Sequence, residues 1–310
     1  YRAHVDAAMR GLVQRVADDA EHPAHALVEL GLHHEQQHQE LILTDAKYML
    51  GTQPLAPSYR ALARGPAASP CALGWHAVGG GVAAIGARGD HFTFDNERPR
   101  HDVIVQPFEL ASRPVCNAEV IAFIEAGGYR DHRLWLSDGW ATIQREGWQA
   151  PLYWHGDELY DLAGRRSIDP AETACHLSYY EADAIAHWLD ARLPTEAEWE
   201  HVASAYDAAR GNFADDDRLH PGAASAGLSQ LFGDVWEWTA SSYSAYPGFR
   251  PLAGALGEYN GKFMSGQQVL RGGSCFTPRG HVRATYRNFF PPAARWQMTG
   301  VRLARDLGDR

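Results

Sequence analysis

No run of apolar residues in this chain approaches the roughly 18 that a membrane-spanning helix needs, so no membrane span is expected. No long basic run exists either, and the formal net charge is −10. Both features argue against nucleic acid or an anionic membrane surface as a partner. Cysteine is scarce. Cys71, Cys116, Cys175 and Cys275 are widely separated, none forms C-x-x-C, and four in 310 residues are too few for a disulfide scaffold. They read as reduced thiols of a cytoplasmic protein. There is no internal repeat, no low-complexity tract and no visible signal peptide. The first residue is Tyr1, not Met, and the expectation is a chain that begins inside a longer protein or was processed.

What is present is globular. Apolar residues make up 45% and charged residues 21%, and the length suits one large or two ordinary domains. Ten Trp and thirteen Tyr crowd the later part of the chain. Loops rich in aromatics suit a cavity for a flat or cationic ligand.

The run Leu32-His33-His34-Glu35-Gln36-Gln37-His38-Gln39-Glu40-Leu41 carries the sharpest chemical signal. On a helix, His34 and His38 stand one turn apart on one face, close enough to share a metal ion. Leu27, Leu41 and Tyr48 fall on the same stripe, which predicts an apolar seam aimed into a helical bundle. A metal pair and a hydrogen-bonded pair of core histidines are both open on spacing alone. His33 and Gln37 form a second pair about 100° away round the helix, but an amide is a poor ligand.

Helices are expected over 2–19 and 24–50, with Glu21-His22-Pro23 between them and Pro23 opening the second. Pro54, Pro57, Gly65, Pro66 and Pro70 then mark an irregular linker, 53–72. From residue 73 to 310 the character changes to short alternating runs such as Val82–Ile85 and His101–Val105, frequent glycine and few helices. Helices are expected at Val115–Ala126, at Tyr179–Leu189, and from Glu196, where Thr195-Glu196-Ala197-Glu198 is a capping box. This is an α+β pattern with a high loop fraction.

Six motifs make this second region recognisable. They are Phe94-Asp95-Asn96-Glu97-Arg98-Pro99-Arg100-His101, Ser178-Tyr179-Tyr180-Glu181-Ala182 and the stretch from Ala191 to Glu200. Gly233-Asp234-Val235-Trp236-Glu237-Trp238-Thr239, Arg271-Gly272-Gly273-Ser274 and Gly300-Val301-Arg302-Leu303 follow in order. Together they resemble the formylglycine-generating-enzyme (sulfatase-modifying factor) fold, which implies a C-type-lectin-like core wrapped in long loops. Trp199, Trp236 and Trp238 are expected to pack that core. Arg192 and Glu237 are expected to pair, and Asp234 with neighbouring carbonyls is a candidate for a structural calcium. The copper-binding cysteine pair of the formylglycine-generating members is absent, since Met298 and Leu303 stand in the matching places. Fold does not fix chemistry.

His34, His38 and Glu40 match the H-x3-H-x-E motif of a DinB-like bundle, which another branch joins to this same fold. With the run Tyr286-Arg287-Asn288-Phe289-Phe290-Pro291-Pro292, the chain resembles the ergothioneine-biosynthesis sulfoxide synthases, or hercynine oxygenases. The resemblance implies part of a DinB-like bundle in residues 1–52, and a non-haem iron(II) held by three histidines. It implies O2-dependent joining of a thiol sulfur to the imidazole C2 of hercynine, giving a sulfoxide. By the same resemblance Gln37 contacts hercynine, Asn288 holds its carboxylate side and Phe289 lines a pocket for its trimethylammonium group. Tyr243 and Tyr246, following the Trp-Glu-Trp-Thr run, are candidate proton donors by position.

Two departures matter. Members that use γ-glutamylcysteine carry Asn-Trp-Asp where this chain has Asn288-Phe289-Phe290. Phe290 cannot meet an amino group as a carboxylate would, which points to free cysteine as the thiol. The family's third iron histidine has no match, and it is expected upstream of Tyr1. His25 lies nine residues from His34 on the same helix, too far to share the ion, and His4 reads as a surface residue. Competing expectations keep the architecture but act on histidine (ovothiol type) or a selenosugar (selenoneine type). Others are a non-catalytic lectin-like binding module, or a DinB-type zinc hydrolase or thiol transferase.

Overall fold

A computed structural model describes residues 1–62, 68–89 and 91–307, so Gly65 and Pro66 of the expected linker lie outside the described residues. Two helices open the chain, α1 (Arg2–Val16) and α2 (Ala24–Gly51). α1 ends three residues short of the expected stop. The Nε2–H of His25 is shared between the carbonyls of Val16 and Asp19, both at 3.0 Å, and pins the turn before Pro23 caps α2. Among the described residues these two helices form no closed bundle, and α1 buries only Val16.

The strands that follow are short and form four small sheets. β1 (Trp75–Val78) and the carboxy-terminal β12 (Arg302–Asp306) flank β4 (Phe108–Pro114), both antiparallel to it. β2 (Gly81–Ile85) and β3 (His101–Val105) form a two-stranded ribbon in register Gly81↔Val105. β5 (Trp154–His155), β6 (Glu158–Asp161) and β7 (Gly164–Ser167) make an antiparallel meander. The fourth sheet runs β10 (Asn288–Phe290), β9 (Gln268–Arg271), β8 (Trp236–Ser242) and β11 (Thr299–Gly300), with β11 parallel to β8.

α3 (Asn117–Glu125), α5 (Tyr179–Trp188) and α6 (Glu196–Ala203) fall where periodicity predicts helices. Both Ser178/Glu181 and Thr195/Glu198 form reciprocal capping boxes. α4 (Ser137–Glu146) was not foreseen. Its sequence Ser-Asp-Gly-Trp-Ala-Thr has few strong helix formers, and tertiary packing of Gly139 against Tyr180 overrides that weak preference.

The core is built around Trp199, Trp236 and Trp238, all 1% exposed or less. Each indole N–H finds an acceptor: Glu237, Glu40 and the Leu177 carbonyl respectively. The expected Arg192–Glu237 pair does not form. Glu237 is completely buried and takes a fork from Arg302 at 2.8–3.0 Å, while Arg192 bridges Glu198 and Asp306 near the surface. A buried arginine takes the place expected for Arg192, because Arg302 sits on β12 beside Glu237. The four cysteines carry free thiols, with Cys116, Cys175 and Cys275 buried. No helix of the described residues is long and apolar enough to cross a membrane.

Candidate active site

α2 is held by a polar stripe. Its four buried residues are Glu40, Thr44, Lys47 and Gly51, spaced four, three and four apart and therefore on one face. Glu40 accepts from the Trp236 indole (2.7 Å), the Ser274 hydroxyl (2.8 Å) and the Thr277 hydroxyl (2.8 Å). Its carboxyl oxygens are thereby occupied, so it docks the helix and does not act as a metal ligand. Burial raises its pKa. Thr44 donates to Gln297 at 3.2 Å. Lys47 is completely buried with Nζ 2.8 Å from His176 Nε2, and burial lowers the pKa of both. At Gly51 an added Cβ would stand 2.6 Å from the Tyr160 ring, so glycine permits the close approach of α2 to β6.

The stripe of His34 and His38 lies about a third of a turn round from this docked face. The predicted apolar seam is not buried: Leu27 is 55%, Leu41 37% and Tyr48 50% exposed. Carboxylate and ammonium dock the helix because the second domain offers them buried partners, and the leucine side receives none among the described residues.

His34 Nε2 and His38 Nε2 face each other at 3.2 Å. Two imidazole nitrogens bound at right angles to one ion about 2.1 Å away would stand about 3 Å apart, so the pair fits a shared metal. A single N–H shared between the rings is the metal-free alternative. No third His, Cys, Asp or Glu joins them among the described residues. His25 is spent on the interhelical turn, and His4 is exposed.

The pair opens on a cavity of about 290 Å³ between α2 and the loops around β8 and β10. Gln37 sits at its centre. Its Nε2 donates to Tyr286 at 2.7 Å, and its Oε1 accepts from the Tyr259 hydroxyl. The Tyr259 ring stands edge-on to His34, 5.6 Å between centroids, and its hydroxyl pKa is pushed up to about 12 by burial. Phe94, Trp236, Phe263 and Phe289 supply aromatic walls. Asn288, the first residue of β10, pairs in register with Leu270, and its Oδ1 accepts from the Phe289 amide at 2.9 Å. Asn288 also lines the cavity. Phe290 lines the cavity and packs edge-on against Trp296. Among the described residues Glu40 is the one carboxylate in the lining, and both its oxygens already accept hydrogen bonds.

Tyr243 and Tyr246 are corrections to the sequence reading, for neither lines this cavity. Tyr243 is buried behind Phe289, stacked on it at 3.9 Å, with its hydroxyl accepting from Asn96. Tyr246 lies on another cavity beside His101, and its hydroxyl faces Arg271 at 3.0 Å. Burial raises both phenols. The phenols that do face the histidine side, Tyr259 and Tyr286, carried no local signal. Tyr259 sits in a loop with no periodicity, and Tyr286 lay inside a recognised run without a role. Asp234, the candidate calcium residue, closes a loop: its Oδ1 accepts from Asn212 (2.9 Å) and from the Gly222 amide (2.8 Å). No group of three ligand side chains surrounds it among the described residues.

Comparison with known proteins agrees with this architecture. Residues 73–226 and 220–307 match the sulfatase-modifying factor enzyme 1-like domain. The chain is 36% identical to a hercynine oxygenase of Mycolicibacterium thermoresistibile, covering 99% of this chain and 74% of that protein. It is 37% identical to the hercynine oxygenase of Mycolicibacterium smegmatis, covering 90% and 71%. Among solved structures, PvdO from Pseudomonas aeruginosa superposes with a TM-score of 0.55 over 78% of this chain and all of that one, at 22% identity, a likeness of fold. A mixed helix-and-sheet domain of the sulfatase-modifying factor type, joined to a histidine helix and matched along nearly its whole length, makes this chain a member of the hercynine oxygenase family.

Proposed function

We propose that this chain is an oxygenase of ergothioneine biosynthesis: a non-haem iron(II)-dependent sulfoxide synthase that joins cysteine to the imidazole C2 of hercynine in the cytoplasm. The observation that carries the reading is the pair of imidazole nitrogens 3.2 Å apart at the mouth of an aromatic cavity. His34 and His38 would hold the iron, and neutral imidazoles suit Fe(II). Bound there, the ion supplies the activation of O2. The balance is one C–H and one S–H bond broken, one C–S and one S–O bond formed, and the second oxygen atom of O2 leaving as water with both protons.

The chain's own residues bind and orient. Phe289, Phe263 and Phe94 offer ring faces to a trimethylammonium group, and the lining leaves no carboxylate free to favour a primary ammonium instead. This chemistry supports hercynine over histidine. Asn288, which lines the cavity, would hold the substrate carboxylate through its side-chain amide. Gln37 meets the imidazole beside His34 and His38. Tyr259, edge-on to His34, donates its hydroxyl hydrogen to Gln37 and so helps to hold that amide in place. Phe290 removes the carboxylate that a γ-glutamyl amino group would need, which supports cysteine as the thiol.

The test is anaerobic Fe(II) reconstitution followed by O2 uptake with hercynine and cysteine, with products analysed by mass spectrometry. Uptake that requires both substrates and yields their sulfoxide is the expected result. Hercynine binding without O2 uptake would favour a binding module. Uptake with histidine or a selenosugar in place of the named substrates would reassign the chemistry.

A further inference from the structure

Behind Gln37 lies a set of buried groups that the proposed reaction does not use. His281 is 1% exposed and Tyr286 4%. His281 Nδ1 is 3.0 Å from Gln36 Oε1 and 3.3 Å from His33 Nδ1, which can accept from the same hydrogen, and its Nε2 is 3.1 Å from the Tyr286 hydroxyl. A carbonyl oxygen can only accept, so Nδ1 carries the ring's hydrogen. Burial, reinforced by His33 and Arg283, holds the His281 pKa down at about 3, so the ring is neutral and Nε2 is an acceptor. The Tyr286 hydroxyl therefore donates to His281 and accepts from Gln37 Nε2. The Gln37 amide is then oriented with Oε1 toward Tyr259, whose hydroxyl donates to it.

Four hydrogen bonds thus run in one direction, from Tyr259 through Gln37, Tyr286 and His281 to Gln36. Each polarises the next in a buried setting. The consequence appears at the cavity wall. The hydrogen of Tyr259 is committed, so its oxygen faces the cavity as an acceptor. The second hydrogen of Gln37 Nε2 remains as a donor.

We propose that His281 and Tyr286 are positioning residues that fix this donor–acceptor polarity, so that the wall beside His34 selects an imidazole bearing a free ring N–H. The proposal rests on the functional reading above for its ligand, hercynine, and on this hydrogen-bond chain for its mechanism. A ring whose nitrogen is methylated has no hydrogen for Tyr259. A chain cut at His281 leaves the Tyr286 hydroxyl free to turn and Gln37 free to flip.

The experiment has two parts. Nitrogen-15 NMR of histidine-labelled protein should show His281 as the neutral Nδ1–H tautomer. Calorimetric titration of hercynine and steady-state kinetics are then compared for native protein, Tyr286→Phe, His281→Leu and His281→Gln. Tyr286→Phe and His281→Leu should each raise the hercynine Kd and KM about tenfold, the weight of one well-formed buried hydrogen bond, with the cysteine KM unchanged. His281→Gln retains an acceptor for Tyr286 and should restore binding to within about twofold, an effect smaller than one such bond. Native protein should bind an N-methylated hercynine at least about tenfold more weakly. An Nε2–H tautomer or an imidazolium at His281 overturns the proposal. So does an equal change in both KM values, or failure of His281→Gln to rescue. Native protein that shows the Nδ1–H tautomer but binds no hercynine overturns the functional reading and its ligand, while the hydrogen-bond chain stands.

Discussion

The two sides of α2 invert the usual rule for an amphipathic helix. One side, Glu40, Thr44, Lys47 and Gly51, is polar or bare and is buried. The other, Leu27, Leu41 and Tyr48 with the histidine pair among them, is apolar and exposed among the described residues. Hydropathy measures the average cost of leaving water, but a particular polar group is buried at little cost when its partners wait in place. The Trp236 indole would be left without an acceptor if Glu40 were absent, and the Ser274 and Thr277 hydroxyls would keep only each other. Docking combines these matched hydrogen bonds with the packing of Leu30, Leu43 and Leu50 against the core, and the histidines are left facing the cavity mouth.

The comparison breaks first at Glu40. Glu40→Ala takes the acceptor from three buried donors, and denaturant titration should show a loss of about 3–5 kcal/mol; a loss under about 1 kcal/mol would mean that the polar face is not what docks the helix. Gly51→Ala drives a methyl group into Tyr160 and Tyr153 and should cost about 1–3 kcal/mol in the same assay.

Acid sharpens the contrast, because the docked side is lined by His281, held neutral by burial with a pKa of about 3 against an ordinary 6.5. Between those values the unfolded chain binds a proton that the folded chain refuses. Stability is therefore fully present above pH 6.5 and falls on acidification, by about 1.4 kcal/mol per pH unit from this group. Urea midpoints for native protein and His281→Gln, measured from pH 7 down to 5, should diverge in native stability by that slope; parallel curves would exclude it.

The smallest stability effect belongs to the open side. His34→Ala and His38→Ala should each change stability by less than about 0.5 kcal/mol, yet abolish binding of Fe(II) or Co(II) seen by titration. Unaltered metal binding would refute the pair as ligands.

Much of the frame was legible along the chain. The capping box Thr195/Glu198 is a local pattern, and it formed as expected because its partners lie three residues apart; the structure adds a second at Ser178/Glu181. The histidine pair was legible for the same reason. Tyr243 and Tyr246 were misplaced because proximity to a motif says nothing about which side of a sheet a loop residue reaches. Tyr259 and His281 were invisible, since their partners Gln37 and Gln36 lie more than two hundred residues away.

By itself the sequence determined the helices, the motif order, the family and the i,i+4 geometry of His34 and His38, all of which follow from short-range periodicity or ordered short patterns. Only the tertiary structure decided which face of α2 is buried, that Glu40 is a docking residue, and that Gln37 meets two phenols. Those outcomes depend on which distant donor stands opposite which acceptor, and a buried polar group is settled by its partner and not by its own hydropathy.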